Sequence, residues 1–191
     1  MKLSWSHKLF FKINKQIGRR PWLDKLMHIC GHELIFVLGF LVAFWSIADI
    51  YQQDQELLST FIKLVMTATA FAFTISWGIG FFFPRRRPII EFPHTKQLIE
   101  PFGTWKSFPS DHTIMSFTLL GIVMIMGAPL WYVLLIGLLA SLVAFGRVYV
   151  GVHYPRDIIG GVVLAALAVL LSPTLLAHVT QPMYRLVIQL F

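Results

Sequence analysis

Cysteine is nearly missing from this chain of 191 residues. Cys30 stands alone, so an internal disulfide and a cysteine-ligated metal cluster are both excluded, and the redox compartment goes unread. Charge is scarce as well. Only 13% of residues are Asp, Glu, Lys or Arg, and 57% are hydrophobic; soluble domains carry roughly 25% and 45–50%. That balance excludes an ordinary water-soluble domain and points to an integral membrane protein. Acidic side chains are the scarcer sign, nine against 16 basic ones, for a net charge of +7. Much of the basic excess lies before residue 26 and around residues 85 to 106, which suits an anionic lipid surface or a phosphorylated ligand better than nucleic acid. No internal repeat is apparent. No cleavable signal is expected either, because the first long apolar run starts late and lacks a small-residue cleavage site, so the spans themselves should target the chain.

The apolar runs predict an all-α, polytopic membrane helix bundle in one domain over residues 1–191. Five spans are expected, near Leu34–Ile50, Leu57–Phe83, Asp111–Met126, Trp131–Val150 and Pro155–Leu171; each approaches the ~20 apolar residues that a hydrocarbon core of ~30 Å requires. Ahead of them, residues 1–25 read as a basic amphipathic interfacial segment. Trp5, Leu9, Ile13 and Ile17 recur at helical spacing while Lys8, Lys12, Lys15, Arg19 and Arg20 lie mostly elsewhere, the pattern of a helix on a membrane surface. Residues 84–111 form a long polar connection too rich in Pro for a helix, and a loop of that length inside a compact protein is more often functional than incidental. Residues 112–191 then carry the catalytic helices. With the spans drawn this way, the 84–111 loop and the 147–157 loop open on the same side of the membrane.

Those two loops hold the chemistry. Gly146 to Asp157 places Arg147, His153 and Asp157 between apolar runs, where ionisable groups are costly and are functional candidates by default. Pro155 suits the first position of a helix, so Asp157 falls in its first turn and can fix one ring nitrogen of His153, leaving the other free. The long loop begins Pro84-Arg85-Arg86-Arg87-Pro88 and ends Phe108-Pro109-Ser110-Asp111-His112 at the mouth of the third span. Ser110 is a good N-cap there, and the free backbone N–H groups of the first turn, which begins at Asp111, form a place for an anion beside His112. Arg guanidinium groups match phosphate oxygens bidentately, so Arg85 or Arg87 with Arg147 could clamp a phosphoryl group. These residues suffice for phosphoryl hydrolysis: His153 as nucleophile oriented by Asp157, His112 as acid and then base, and Arg and N–H donors holding the developing charge. No metal or cofactor is required. His28 and His32, four apart with Glu33 adjacent, lack a further ligand set, and no metal site is expected from them. Read without chemistry, the Arg run is a juxtamembrane anchor and the 147–157 segment a loop with interfacial residues.

The three stretches resemble the three-part signature of the type 2 phosphatidic acid phosphatase superfamily, which also includes vanadium haloperoxidases. Arg87-Pro88, Pro109-Ser110-Asp111-His112 and Arg147-x5-His153-x3-Asp157 follow its blocks in order and spacing. The resemblance implies that His153 is the nucleophile, Asp157 its partner and His112 the acid, with Arg87, Ser110 and Arg147 as phosphate ligands. Pro-Ser-Asp-His, and more weakly Ile13-Asn14 with Arg20 to Asp24, is similar to the bacterial undecaprenyl-diphosphatase branch. By that likeness the substrate is a lipid phosphate or diphosphate, undecaprenyl diphosphate first, with phosphatidate, phosphatidylglycerophosphate and a lipid A phosphate as alternatives. The site is expected at the extracytoplasmic face of a bacterial cytoplasmic membrane, although the positive-inside rule taken literally turns it to the cytoplasm. Two departures stand out. The first block usually carries a Lys where this chain has Gly80, and the third usually has Ser where it has Gly146. A vacant Gly80 position leaves open a catalytically silent lipid-binding or scaffold protein, unless another cation of the run replaces the Lys. Arg85 is the expected replacement, because an extended, Pro-flanked segment points residues 85 and 87 to one side and Arg86 to the other.

Overall fold

The computed structural model of the chain describes residues 3–101, 103 and 105–189. All regular structure among them is helical. In chain order the helices are α1 (Trp5–Asn14), α2 (Pro21–His32), α3 (Leu34–Trp45), α4 (Tyr51–Gln53), α5 (Gln55–Phe82), α6 (Pro88–Glu91), α7 (Asp111–Ile125), α8 (Leu130–Tyr149), α9 (Pro155–Leu175) and α10 (Gln181–Gln189). Wider π turns, Ser46–Ile50 and Leu176–Thr180, follow α3 and α9.

The long apolar helices form the body of the bundle. Small and β-branched residues let them approach: Ala68 and Ala72 of α5, Ile114, Ile122 and Val123 of α7, Ile136 and Ala140 of α8 and Ala168 of α9 are buried together with Leu38 and Val42 of α3. Bulky residues such as Phe36, Phe40, Phe81, Phe82, Leu130, Trp131 and Leu170 point outward, as a chain solvated by lipid requires. Among the described residues three helical runs are long and apolar enough to cross a membrane, Gln55–Phe82, Leu130–Tyr149 and Pro155–Leu186; counted as one span, the pair Pro21–His32 with Leu34–Ile50, bent by 50°, brings the number to four. The expected span from Asp111 is an apolar helix of 15 residues, which at 1.5 Å per residue covers about 22 Å and falls short of the hydrocarbon thickness.

Three further differences from the sequence reading have local causes. The last long helix runs past Leu171 to Leu175 because Ser172 Oγ donates at 2.8 Å to the Val169 carbonyl, the group that Pro173, lacking an N–H, cannot serve. The long loop holds one helical turn, α6, started by Pro88 at its first position. The stripe expected to lie on the membrane is divided: Ile17 is buried with Met27, Cys30 and Tyr149, and Phe10, next to the stripe in α1, is fully buried against Val148 and Tyr154, whereas Trp5 and Leu9 stay exposed. Asn14, at the end of α1, ties the helix to the loop by donating at 2.7 Å to the Lys96 carbonyl and accepting at 3.0 Å from the Lys96 N–H.

Helix α2 accounts for Gly146. A Cβ on Gly146 would lie 2.6 Å from the Gly31 nitrogen and 2.8 Å from the Cys30 carbonyl carbon, so α2 occupies the space that a Ser side chain would take. In return the Gly31 carbonyl accepts a 2.7 Å hydrogen bond from Arg147 Nη1. Gly146→Ser should therefore push two backbones apart and destabilise the protein by about 1–3 kcal/mol, the usual cost of overpacking. Thermal unfolding of both proteins in one detergent checks this, and an unchanged midpoint would contradict it.

Candidate active site

The functional side chains gather where the 84–111 loop, the start of α7, the end of α8 and the start of α9 meet. Pro88 starts α6 and drives the preceding residue into extended backbone, so Arg87 sits at φ −71°, ψ 158° with its side chain turned inward. The guanidinium is buried. Its Nε donates to the Gly103 carbonyl and its Nη1 to the Val152 carbonyl, each at 3.1 Å, and Nη1 also lies 3.3 Å from His153 Nε2. Arg85 does not join it. Arg85 is exposed, its guanidinium stacks 4.7 Å above the Phe108 ring, and its carbonyl accepts from the Ser107 N–H. The extended segment on which an Arg85–Arg87 pair was expected stops at Arg87, where α6 begins, and the Phe108 face competes for the Arg85 side chain. Arg86 is exposed as well.

His153 lies in the short turn between α8 and α9, with 3% of its surface exposed. Its Nδ1 is 2.8 Å from the Ser107 carbonyl. A carbonyl only accepts, so Nδ1 carries the proton and Nε2 keeps its lone pair, facing Arg87. Asp157 was expected to make that orienting bond directly. Its Oδ2 stands 3.6 Å from Nδ1 and instead accepts from Ser107 Oγ at 2.7 Å and from the Tyr154 N–H at 2.9 Å. Asp157 thus holds Ser107, and the Ser107 carbonyl holds the ring. Burial is the main force keeping the imidazole neutral, pushing its pKa down to about 4; Asp157 opposes the shift, and Arg87 and Arg147 add to it.

Ser110 occupies the N-cap position of α7, yet its hydroxyl caps nothing. The Oγ is buried without a partner, while the Ser110 N–H donates at 3.1 Å to the Asp157 carbonyl. Arg147 is 4% exposed, with Nε likewise unpartnered. Both are donors with capacity left for an anion. His112 follows in the first turn of α7, where Arg147, His153, His32 and Arg87 all lie close enough to act on it electrostatically. The structure thus brings Arg87, Ser110, Asp111, His112, Arg147, His153 and Asp157 into one cluster.

Two contributors were missed in the sequence. Ser107 carries no block signature: its hydroxyl holds Asp157, and its hold on His153 comes from a backbone carbonyl that any residue type would present. Lys106 is the other: Nζ donates to Ser76 Oγ at 2.6 Å and pairs with Asp111 Oδ1. His28 and His32 both place Nδ1 3.4 Å from Glu33 Oε1.

A model of the PAP2 superfamily matches residues 60–180. YbjG of Escherichia coli, named as a candidate undecaprenyl-diphosphatase, is 32% identical over 80% of this chain and 73% of its own. BcrC of Bacillus subtilis, an undecaprenyl-diphosphatase, is 24% identical over 84% of this chain and 78% of its own. Among solved structures, Aquifex aeolicus LpxE is 25% identical with a TM-score of 0.73, covering 91% of this chain and 97% of that one. A transmembrane PAP2-type phosphatidylglycerolphosphate phosphatase from Bacillus subtilis, at 22% identity and a TM-score of 0.65, covers 93% and 89% and shares the fold.

Two outcomes follow from the His153 environment. Ser107→Ala removes one of two donors to a buried carboxylate and should cost about 1–3 kcal/mol of stability, but it keeps the carbonyl on Nδ1. Its kcat/KM should therefore fall less than that of Asp157→Ala, and an equal or larger fall would overturn this division of labour. In a pH profile of kcat/KM, corrected for ionisation of the substrate phosphate near pH ~6, any loss due to protonation of His153 should come near pH 4, because the lowered pKa keeps Nε2 unprotonated until then. A midpoint near the ordinary 6.5 would show a ring open to water.

Proposed function

Because this chain belongs to the PAP2 superfamily and is accordingly a hydrolase acting on lipid phosphates, we propose that it cleaves a polyprenyl diphosphate, undecaprenyl diphosphate, through a phosphohistidine on His153. The observation that carries the mechanism is the fixed tautomer of His153, which leaves Nε2 unprotonated beside Arg87. The substrate rests on the names of the relatives.

In the first step Nε2 attacks phosphorus as the bond to the leaving oxygen breaks, and His112 gives that oxygen a proton. The ring, still protonated at Nδ1, becomes cationic. The buried Asp157 carboxylate 3.6 Å away offsets this charge without taking the proton. Arg87, which touches Nε2 in the free protein, turns its N–H to a phosphate oxygen and joins Arg147 and Ser110 Oγ, donors already in place to hold the charge. Water, deprotonated by His112, then attacks phosphorus, the P–N bond breaks, and inorganic phosphate leaves.

The membrane setting belongs to the same proposal. The chain lies in a bacterial cytoplasmic membrane, with α7 as a short fifth crossing and the site at the extracytoplasmic end. The exposed Trp5 and Leu9 of α1 rest in the interface beside Lys8 and Lys12. A site at headgroup depth lets the cations reach phosphate while the lipid tail stays in hydrocarbon.

Purified protein should release phosphate from undecaprenyl diphosphate faster than from phosphatidate, phosphatidylglycerophosphate or a lipid A phosphate. Rapid quench with labelled substrate should trap acid-labile phosphate on the protein, and His153→Ala should abolish both label and turnover. A His153→Ala protein that keeps most of its activity would end the covalent mechanism, and preference for a glycerolipid would move the substrate.

A further inference from the structure

One buried cation in the cluster has no part in the reaction as written. Lys106 leaves the loop, is 5% exposed, and donates from Nζ to Ser76 Oγ and Asp111 Oδ1, while Ser76 Oγ itself donates to the same carboxylate oxygen at 2.9 Å. An ammonium has three donors and no acceptor, so one N–H has no partner among the described residues. Burial lowers the pKa of this group, Asp111 pulls it back up, and nearby Arg87 adds to the lowering. Two cations have therefore been brought together at a cost, which an anion between them would offset.

The path of the side chain explains Gly80. Glycine inside a helix costs about 1 kcal/mol relative to alanine and calls for a packing reason. A Cβ on Gly80 would come within 2.8 Å of Lys106 Cγ and Cδ and 2.9 Å of Trp105 Cζ3, so the stem of Lys106 runs through the space that glycine leaves. Gly80 is also the position where the resemblance expects a lysine. We infer that Lys106 is a phosphate-binding cation of this site, reaching in from the loop over Gly80 in place of a lysine carried by α5, with Asp111 as its positioning residue. This rests on the phosphatase reading above. It also gives a reason for an acid beside His112: an unpaired Asp111 would repel a phosphate, whereas a paired one aims the ammonium and lets its last N–H reach a phosphate oxygen. A purely structural alternative exists, in which the Lys106–Asp111 pair only pins the loop to α7.

Moving the charge separates the two. Full-length wild type, Lys106→Met and the relocated double variant Gly80→Lys/Lys106→Gly are compared in one detergent, by phosphate release from undecaprenyl diphosphate and by calorimetric titration with orthovanadate. Lys106→Met should lower kcat/KM by about 10²-fold, as loss of one transition-state donor does, and weaken vanadate binding by about tenfold; the relocated variant should recover about tenfold or more of each. Vanadate affinity in Lys106→Met within about threefold of wild type, or no recovery on relocation, overturns the inference. Because vanadate binding is read without turnover, a wild type inactive on every lipid phosphate would count against the phosphatase reading alone.

Discussion

Asp157 is the constraint on which the site depends. It is a fully buried carboxylate in the first turn of α9, and its Oδ2 collects the hydroxyl of Ser107 and the N–H of Tyr154. The first bond fixes the end of the long loop, the second fixes the start of α9, and His153 lies between them with its ring on the Ser107 carbonyl. Burying an ion is costly unless it is paired and hydrogen-bonded. The two bonds to Oδ2 offset part of that cost, while Oδ1 has no hydrogen-bond partner among the described residues; separately, the Asp157 main-chain carbonyl accepts from the Ser110 N–H at the mouth of α7. Loss of the carboxylate would therefore loosen the end of the loop, the start of α9 and the His153 ring between them.

Around that anchor the charges do not balance. Among the described residues Arg87, Arg147 and Lys106 are buried with Asp111 and Asp157 as the nearby carboxylates, and Asp157 is engaged with Ser107 and the Tyr154 N–H. Donors such as Ser110 Oγ and Arg147 Nε are held in position with no partner among the described residues. A polar environment fixed before the reaction needs no reorganisation as charge develops, which is the usual source of the largest catalytic term. The packing that fixes it comes from close helix contacts: α2 against Gly146 sets Arg147, and the stem of Lys106 against Gly80 sets the ammonium.

Much of this was legible in the sequence because it follows from period, length and block order. The ends of α5, α7 and α8 fall within a few residues of the apolar runs, and the three blocks converge on one end of the bundle. What was hidden depended on partners distant in the chain. Arg85 and Arg87 look equivalent in a run of three, and only the turn begun by Pro88 and the face of Phe108 separate them. Lys106 is one of two lysines in the loop, and its sole trace was the missing side chain at Gly80. The Ser107 carbonyl has no sequence signal at all. The bend between α2 and α3 and the short α7 shift the number of full-length spans because apolar content predicts burial in lipid but not the angle or depth of a helix.

The central claim is that phosphoryl transfer occurs at His153 Nε2, in a cluster of donors already placed. The most direct test is a crystal structure with bound vanadate, whose trigonal-bipyramidal form resembles the transferring phosphoryl group. The account predicts vanadium bonded to His153 Nε2, its equatorial oxygens on Arg87, Arg147 and Ser110 Oγ, and its distal apical oxygen facing His112. Vanadium bonded to His112, or bound elsewhere with Nε2 still covered by Arg87, would contradict it.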